Sequence, residues 1–130
     1  MTTTPYQPLI QVIVLKNQDY LIAQIEEREE IPECLLTNPY RIIDMSYWDY
    51  SNREQKHVAP EGSVFIEQSV ETEINEKTGE EVITTQSDYI TLQKFPRYTT
   101  QSQVYLRSED ILTICDPGHL VLECYQKTVG

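Results

Sequence analysis

The sequence predicts a mainly β chain of five core strands, with an inserted β-hairpin and a short C-terminal helix. Segments rich in β-branched residues alternate with turn formers, several of these segments alternate apolar and polar residues, and helical spacing follows near the C-terminus. The 130 residues, 39% of them hydrophobic, suffice for one core and are too few for two. We therefore expect a single domain over residues 1–130.

The first two predicted strands form a hairpin. Residues 11–17, QVIVLKN, are rich in β-branched residues, and residues 20–27 place Leu21, Ala23 and Ile25 on one face of a second strand. Asn17, Gln18 and Asp19, where the two segments meet, are turn-forming residues.

The third predicted strand follows an acidic stretch. Residues 26–33, EEREEIPE, carry five acids and one base, which indicates a solvated strand end and a loop. Residues 34–44, CLLTNPYRIID, return to β character. Because Pro39 cannot donate a hydrogen bond to a neighbouring strand, we expect an edge position or a bulge there, where the strand bends. Residues 45–62 mix aromatics with turn formers and are predicted to be a loop.

An acidic hairpin is predicted over residues 61–88. Residues 63–74 alternate apolar residues with glutamates, as in a half-exposed strand. NEKTG, residues 75–79, supplies a turn with a glycine for a left-handed position, and residues 81–86 return as the partner strand. Eight acids and one base give residues 61–88 a charge of -7, most of the chain's -11.

The C-terminal part is predicted to hold short strands and one helix. Residues 89–95 and 103–107 indicate further strands interrupted around Pro96, and residues 111–115 indicate the last one. A helix is predicted over residues 116–127. Asp116 can cap it, Pro117 suits its first position, and Leu120, Val121, Cys124 and Lys127 follow at helical spacing.

Composition and charge exclude several classes of protein. Twenty-one acidic residues against ten basic ones, with a pI near 4.5, oppose general adhesion to nucleic acid or anionic lipid. The first residues show neither a secretory signal nor a membrane anchor, so we expect a cytoplasmic chain that does not bind membranes.

No residue pattern points to catalysis, a metal or a cofactor. The three cysteines, Cys34, Cys115 and Cys124, form no CxxC pair, and His57 and His119 lie far apart with no HExxH spacing. No GxSxG or phosphate-binding glycine loop occurs. We expect a protein that is not an enzyme and has no cofactor.

Two segments resemble the paired motifs of the Sm-like (LSm/Hfq-type) family. LKNQDYLIAQI, residues 15–25, resembles the first Sm motif, and VYLRSEDILTI, residues 104–114, resembles the second, with Arg107 matching and Ser108 in place of the family's glycine. The LKN hairpin, the TNPY segment and the ILTI strand are also similar to small Sm-like proteins of phage origin.

The resemblance implies a fold and an assembly. It implies a strongly bent five-stranded antiparallel Sm-like small barrel, with the C-terminal helix covering the opening where the family has an N-terminal helix. In such barrels the fourth strand pairs with the fifth strand of a neighbour, giving a homo-oligomeric ring, from a pentamer to a heptamer. The pairing edges would be residues 98–107 and 111–115, with apolar contacts at the subunit seam from Val104, Leu106, Ile111 and Ile114. Those four side chains could instead serve only the core of their own chain.

The resemblance also implies candidate RNA-binding residues, namely Asn38, Tyr40 and Arg107. Counting without gaps puts Glu33 at the family's asparagine position, whereas a gapped alignment selects Asn38, with Tyr40 nearby to stack on a base.

Two functions follow from these patterns. The first is a non-catalytic assembly or adaptor ring, phage-encoded and located in the host cytoplasm, whose acidic hairpin meets a basic protein or keeps the ring soluble. The alternative is a ring that binds single-stranded RNA. Charge favours the first, unless Arg41, Arg97 and Arg107 collect on one face.

Overall fold

The computed structural model describes residues 9–27 and 32–130, which are mainly β-strand. These residues form seven strands, one 3-10 turn (Ser108–Asp110) and one helix, α1 (His119–Val129). The strands are β1 (Leu9–Leu15), β2 (Tyr20–Glu27), β3 (Glu33–Tyr50), β4 (Val64–Ile74), β5 (Glu81–Lys94), β6 (Gln103–Arg107) and β7 (Ile111–Cys115). The predictions of a mainly β chain and of a C-terminal helix are confirmed. Part of the predicted acidic loop, residues 28–31, lies outside the described residues, as do residues 1–8.

The chain forms two compact units. The first contains the described part of Met1–Ile42 together with Leu92–Gly130, and the second is Ile43–Thr91. Strands β3 and β5 each run through both units. The sequence predicted one domain with a hairpin inserted at 61–88, whereas the second unit also contains the latter half of β3.

The first unit is an antiparallel sheet with the strand order β6-β3-β2-β1-β7. Alternate side chains of the β1–β2 hairpin point to one face and form its core with residues of β3. The core consists of Ile13, Leu15, Leu21, Ala23, Ile25, Cys34 and Leu36. Burying each large aliphatic side chain contributes about 1.5–3 kcal/mol. In the part of the chain described, β6 and β7 do not pair with each other, so the sheet is open and the predicted closed barrel is not seen.

A bulge bends β3 at the TNPY segment. Ile22 lies opposite Tyr40 but Gln24 lies opposite Thr37, so that two residues of β3 face one residue of β2. Asn38, one of the two, has a φ of 50°, a left-handed conformation that asparagine tolerates better than most residues. Of the two alternatives predicted at Pro39, an edge position or a bulge, the structure shows the bulge.

The second unit contains the β4–β5 hairpin and the end of β3. The hairpin predicted within residues 61–88 is confirmed, and its turn is closed by the Gly79 N–H, which donates to the Asn75 carbonyl at 2.7 Å. The predicted half-exposure of its first strand is wrong, because ten of the eleven residues of β4 are exposed. Residues 89–94 are not a separate strand but the continuation of β5. The loop predicted over residues 45–62 is wrong up to Tyr50, because this aromatic-rich stretch, which suits a pleated surface, continues β3.

Helix α1 begins later than predicted. Its N-cap is Gly118, no side chain caps it, and the Leu122 N–H donates to the Gly118 carbonyl at 3.0 Å. The predicted capping by Asp116 and the predicted start at Pro117 are therefore wrong. The helix buries Cys124 and Tyr125, whereas Leu120 is 41% exposed. The inward face thus includes Tyr125, which the predicted spacing left out.

Within the described residues, no helix combines the length and the apolar character needed to cross a bilayer.

Candidate functional site

The two ends of the first unit's sheet are consecutive strands of the chain. β6 pairs with β3 and β7 pairs with β1, and neither has a second strand partner among residues 9–27 and 32–130. Only the turn Ser108–Asp110 joins them. The Ser108 N–H donates to the Pro32 carbonyl at 2.9 Å, and the Lys16 N–H donates to the Asp110 carbonyl at 3.0 Å. The turn is therefore hydrogen-bonded both to the start of β3 and to the end of β1.

The predicted seam residues pack on the core of their own chain. Val104, Leu106, Ile111 and Ile114 are partly buried against the first unit's core cluster. The exposed large hydrophobic side chains on these edge strands are Tyr105, at 57%, and Leu112, at 65%. Neither was selected from the sequence. Alternation along β6 places Tyr105 on the face opposite Val104 and Leu106, whereas Leu112 shares its parity with the inward-facing Ile114, so alternation alone does not identify it.

Arg107 does not lie with the other two predicted RNA-binding residues. It is opposite Glu33 in the β3–β6 register, and Asn38 is five residues further along β3, about 16 Å at the rise of a strand. The Arg107 Nη1 lies 3.4 Å from the Glu109 Oε1, with both side chains mostly exposed. Because exposed ion pairs contribute little, this contact stabilises the position of Arg107 only weakly.

The cavity beside Arg107 is acidic. It has a volume of about 230 Å³ and is lined, among the residues described, by Pro32, Glu33, Arg107 and Glu109. Glu33 is the residue that the ungapped count placed at the family's asparagine position. Two carboxylates against one guanidinium make this a poor site for an anionic ligand.

Asn38 and Tyr40 are brought together, beneath α1. The Tyr40 ring lies edge-on to the Tyr125 ring, with centroids 6.0 Å apart and an interplanar angle of 78°. The Asn38 carbonyl accepts a hydrogen bond from the Tyr125 hydroxyl at 2.9 Å, and the Asn38 N–H donates to the Ser102 carbonyl at 2.7 Å. The placement of both residues is thus explained by attachment of the helix to the sheet.

A second cavity of the first unit is basic. It has a volume of about 200 Å³ and is lined by Asp19, Arg41, Gln93, Lys94, Phe95, Pro96 and Arg97. Three cationic side chains face one carboxylate in a chain whose overall charge is -11.

We call this cavity the basic pocket. Each of its three cationic side chains contacts one neighbouring group. The Arg41 Nη2 lies 3.1 Å from the Asp19 Oδ1, and the Lys94 Nζ donates to the Gln101 carbonyl at 2.8 Å. The Arg97 guanidinium carbon lies 5.0 Å from the centroid of the Tyr98 ring, and Tyr98 is 95% exposed. Sequence reasoning named Arg41 and Arg97 as possible neighbours but missed Lys94 and Tyr98. The adjacent arginine and tyrosine in FPRY, residues 95–98, are the sequence feature that could have indicated this site.

Two of the three thiols are protected. Cys34 and Cys124 are buried and Cys115 is exposed. Burial raises the pKa of Cys34, against a weak contact with the Ser108 hydroxyl, and burial likewise raises the pKa of Cys124, against a hydrogen bond from Thr128. Across the described part of the chain, no three His, Cys, Asp or Glu side chains are grouped to hold a metal ion.

Comparison with known proteins places the chain in a family. No curated protein matches it. The profile of a family of unknown function, DUF6561, matches residues 8–130, which include all the strands, the helix and both cavities described above. Because this match covers nearly the whole chain, the protein is a member of the DUF6561 family.

Proposed function

We propose that the protein is a non-catalytic subunit that joins copies of itself into an Sm-like ring and acts as an assembly or adaptor module. One observation carries this proposal. The edge strands β6 and β7 lie at opposite ends of the strand order of the first unit, yet only three residues separate them in the chain.

This arrangement favours a strongly bent sheet. Five flat strands would separate β6 from β7 by about 19 Å, at the usual spacing between neighbours. A 3-10 turn with a rise of about 2 Å per residue spans less than half of that. The sheet must curl for Ser108–Asp110 to reach from one end to the other, which supports the Sm-like small barrel. Closing a ring would then pair β6 of one subunit with β7 of the next.

A head-to-tail contact of this kind satisfies both edges without leaving a free end. Two different edges of one chain form a heterologous interface, which closes into a ring when the rotation between subunits permits. The exposed Leu112 would be covered, while Val104, Leu106, Ile111 and Ile114 would support the seam from beneath. The charge of -11 per subunit opposes assembly, so added salt should favour the ring.

The oligomeric mass tests this proposal. Native mass spectrometry and sedimentation should give one closed oligomer for the wild type. Leu112→Lys should give monomers, since a charge at the seam loses its hydration on assembly. Val70→Lys is the matched control, because Val70 is a similarly exposed aliphatic residue on β4, at 61%, and it should keep the oligomer. A monomeric wild type at all protein and salt concentrations rejects the ring.

The basic pocket favours a second candidate function, the binding of single-stranded RNA. Arg41, Lys94 and Arg97 supply cations for a phosphate, and Tyr98 offers an exposed ring on which a base can stack. Stacking on an aromatic side chain contributes about 1–3 kcal/mol per base. The three residues first predicted for this role, Asn38, Tyr40 and Arg107, do not share one pocket. Arg97 and Tyr98 are therefore the residues to mutate in a test of RNA binding.

Oligonucleotide binding separates the two candidates. Uridine-rich and adenine-rich oligomers are titrated at low salt against the wild type, Arg97→Ala, Tyr98→Ser and Arg53→Ala. Arg53 is the control, because its guanidinium carbon lies 4.6 Å from the Tyr50 ring centroid in a similar arrangement outside the basic pocket. RNA binding requires that the first two variants bind more weakly and the control does not. Absence of binding by the wild type rejects this candidate and leaves the adaptor ring.

A further inference from the structure

The second unit exposes a long strand edge. β4 pairs with β5 and, among the residues that the structure describes, with no other strand. Ten of its eleven residues are exposed. Its backbone therefore offers a row of hydrogen-bonding groups that can template pairing with another extended chain.

The two faces of the β4–β5 hairpin differ in chemistry. On one face Val70 is opposite Thr85, Thr72 is opposite Ile83, and Ile74 is opposite Glu81 at the end of the hairpin. Val70 and Ile74 are 61% and 67% exposed, so this face presents apolar surface to the solvent.

The other face is acidic. Glu67 lies opposite Asp88, Glu71 opposite Thr84, and Glu73 opposite Val82. No Lys or Arg side chain within residues 9–27 and 32–130 forms an ion pair with Glu67, Glu71 or Glu73. The negative charge along β4 is therefore available to a cationic partner.

We propose that β4 is a docking edge for an extended basic segment of another protein, in which Lys or Arg alternates with apolar residues. Such a segment adds to the sheet as an antiparallel strand. Its apolar side chains extend the Val70 and Ile74 face, and its cations lie beside Glu67, Glu71 and Glu73. Main-chain hydrogen bonds supply the affinity, and the alternation supplies the specificity. This inference rests on the adaptor role proposed above and names the partner of that role.

The same charges disfavour a second copy of the chain as the occupant. Pairing β4 with β4 of another molecule brings three glutamates of one strand against three of the other. Like charges on facing strands destabilise a sheet, whereas opposite charges stabilise it. The glutamates thus act against self-pairing of an edge that would otherwise promote aggregation.

Peptide binding to the full-length protein tests the inference. A fluorescent peptide that alternates lysine and valine is compared, by anisotropy at low salt, with a peptide of the same composition whose lysines are grouped at one end. The alternating peptide should bind the wild type, and the grouped peptide should bind at least about tenfold more weakly, because its lysines cannot all meet one face. Equal binding of the two peptides would overturn the inference.

Variants locate the site. The triple variant Glu67→Gln, Glu71→Gln and Glu73→Gln should bind the alternating peptide about tenfold more weakly. The control triple Glu26→Gln, Glu27→Gln and Glu54→Gln removes the same charge from exposed positions elsewhere and should bind as the wild type does. Equal losses in the two triples would show general attraction to an acidic protein and would reject the docking edge.

The test of the docking edge is independent of the test of the ring. Leu112→Lys should bind the alternating peptide within about twofold of the wild type, because the docking edge belongs to one chain. A monomeric wild type that binds the alternating peptide selectively rejects the ring and keeps the docking edge. An assembled wild type that fails to bind it keeps the ring and rejects the docking edge.

Discussion

The hydroxyl of Tyr125 donates a hydrogen bond to the carbonyl of Asn38, 2.9 Å away, and so connects helix α1 to the bulge of β3. The Thr37 carbonyl lies 3.3 Å from the same hydroxyl. Tyr125 is 1% exposed, the lowest value among the helix residues. The strained backbone of β3 and the C-terminal helix are thus stabilised by one buried contact.

Removing this hydroxyl should lower the stability of the first unit. Tyr125→Phe leaves the Asn38 carbonyl without its donor, and we expect a loss of about 1 kcal/mol in the free energy of unfolding. Tyr125→Ala also removes the ring and should cost about 3–5 kcal/mol. Chemical denaturation followed by circular dichroism measures both.

Leu120→Ala is the control for these two variants. Leu120 is on the same helix but 41% exposed, so the change should stay within about 1 kcal/mol. A loss for Leu120→Ala as large as that for Tyr125→Ala would contradict the assignment of Tyr125 as the anchor of the helix.

Stability should fall at alkaline pH through Tyr125. Burial raises the pKa of Tyr125 to about 12 from 10.0, with a smaller rise from Tyr40, while a hydrogen bond from the Gln24 backbone opposes the shift. Because the folded state favours the neutral phenol, the stabilisation is fully present below pH 10. It is lost as the pH rises from about 10 to about 12, where the unfolded chain releases this proton first.

The comparison with Tyr125→Phe isolates this effect. The variant has no phenol at this position, so its free energy of unfolding should decrease less steeply with pH than that of the wild type over the same window. Denaturant titrations at several pH values between about 9 and about 12 measure the free energy of unfolding of both proteins across this window. Parallel curves for the two proteins would rule out a raised pKa at Tyr125.

The left-handed backbone of Asn38 gives a prediction that separates fold from RNA binding. Asn38→Gly should change stability by less than about 1 kcal/mol, since glycine accepts a φ of 50° at no steric cost. Asn38→Val should cost more than about 1 kcal/mol, because a β-branched side chain clashes in this region. Thermal unfolding of the two variants tests the order of their stabilities.

The glycine variant also tests the RNA-binding role predicted for Asn38. It keeps the bulge but lacks the side-chain amide that would recognise a base. Oligonucleotide affinity should therefore be unchanged if Asn38 is structural, as its contacts with Ser102 and Tyr125 indicate. A folded Asn38→Gly protein that has lost RNA binding would restore the role predicted from the sequence.

The three thiols should differ in reactivity. Cys115 is exposed, whereas burial protects Cys34 and Cys124 and raises their pKa values. At neutral pH an alkylating reagent should label Cys115 at least about ten times faster than the other two, because the thiolate is the reactive form. Mass spectrometry of peptides from the labelled protein gives the three rates, and unfolding should make them similar. Fast labelling of Cys34 in the folded protein would contradict its buried position.

Local patterns in the sequence predicted local structure well. The hairpin turns at NQD and NEKTG, the strand conformation of β4 and the bulge at Pro39 each depend on a few neighbouring residues. Turn formers, two-residue periodicity and the missing N–H of proline act within that range, so a single segment contains the information. The predicted first residue of α1, Pro117, is two residues before the observed one, His119, because a proline and an acid before a helix can lie outside its first turn as well as within it.

Long-range pairing decided the candidate sites. The continuation of β3 through Tyr50 reflects a partner strand more than thirty residues away in the chain, since the Ser51 N–H donates to the Ile83 carbonyl at 2.9 Å. The register of β3 with β6 separates Arg107 from Asn38, and the fold brings Lys94 beside Arg41. No spacing within one segment encodes these distances.

The sequence by itself therefore determined that this is an acidic, mainly β chain with defined hairpins, a bend at Pro39 and a C-terminal helix. Only the tertiary structure decided which strands lie at the edges, which cations share a pocket, and that Tyr125 anchors the helix to Asn38. The physical reason is range: backbone preferences and charge are carried by each residue and its neighbours, whereas edges, cavities and buried contacts arise from pairing between distant segments.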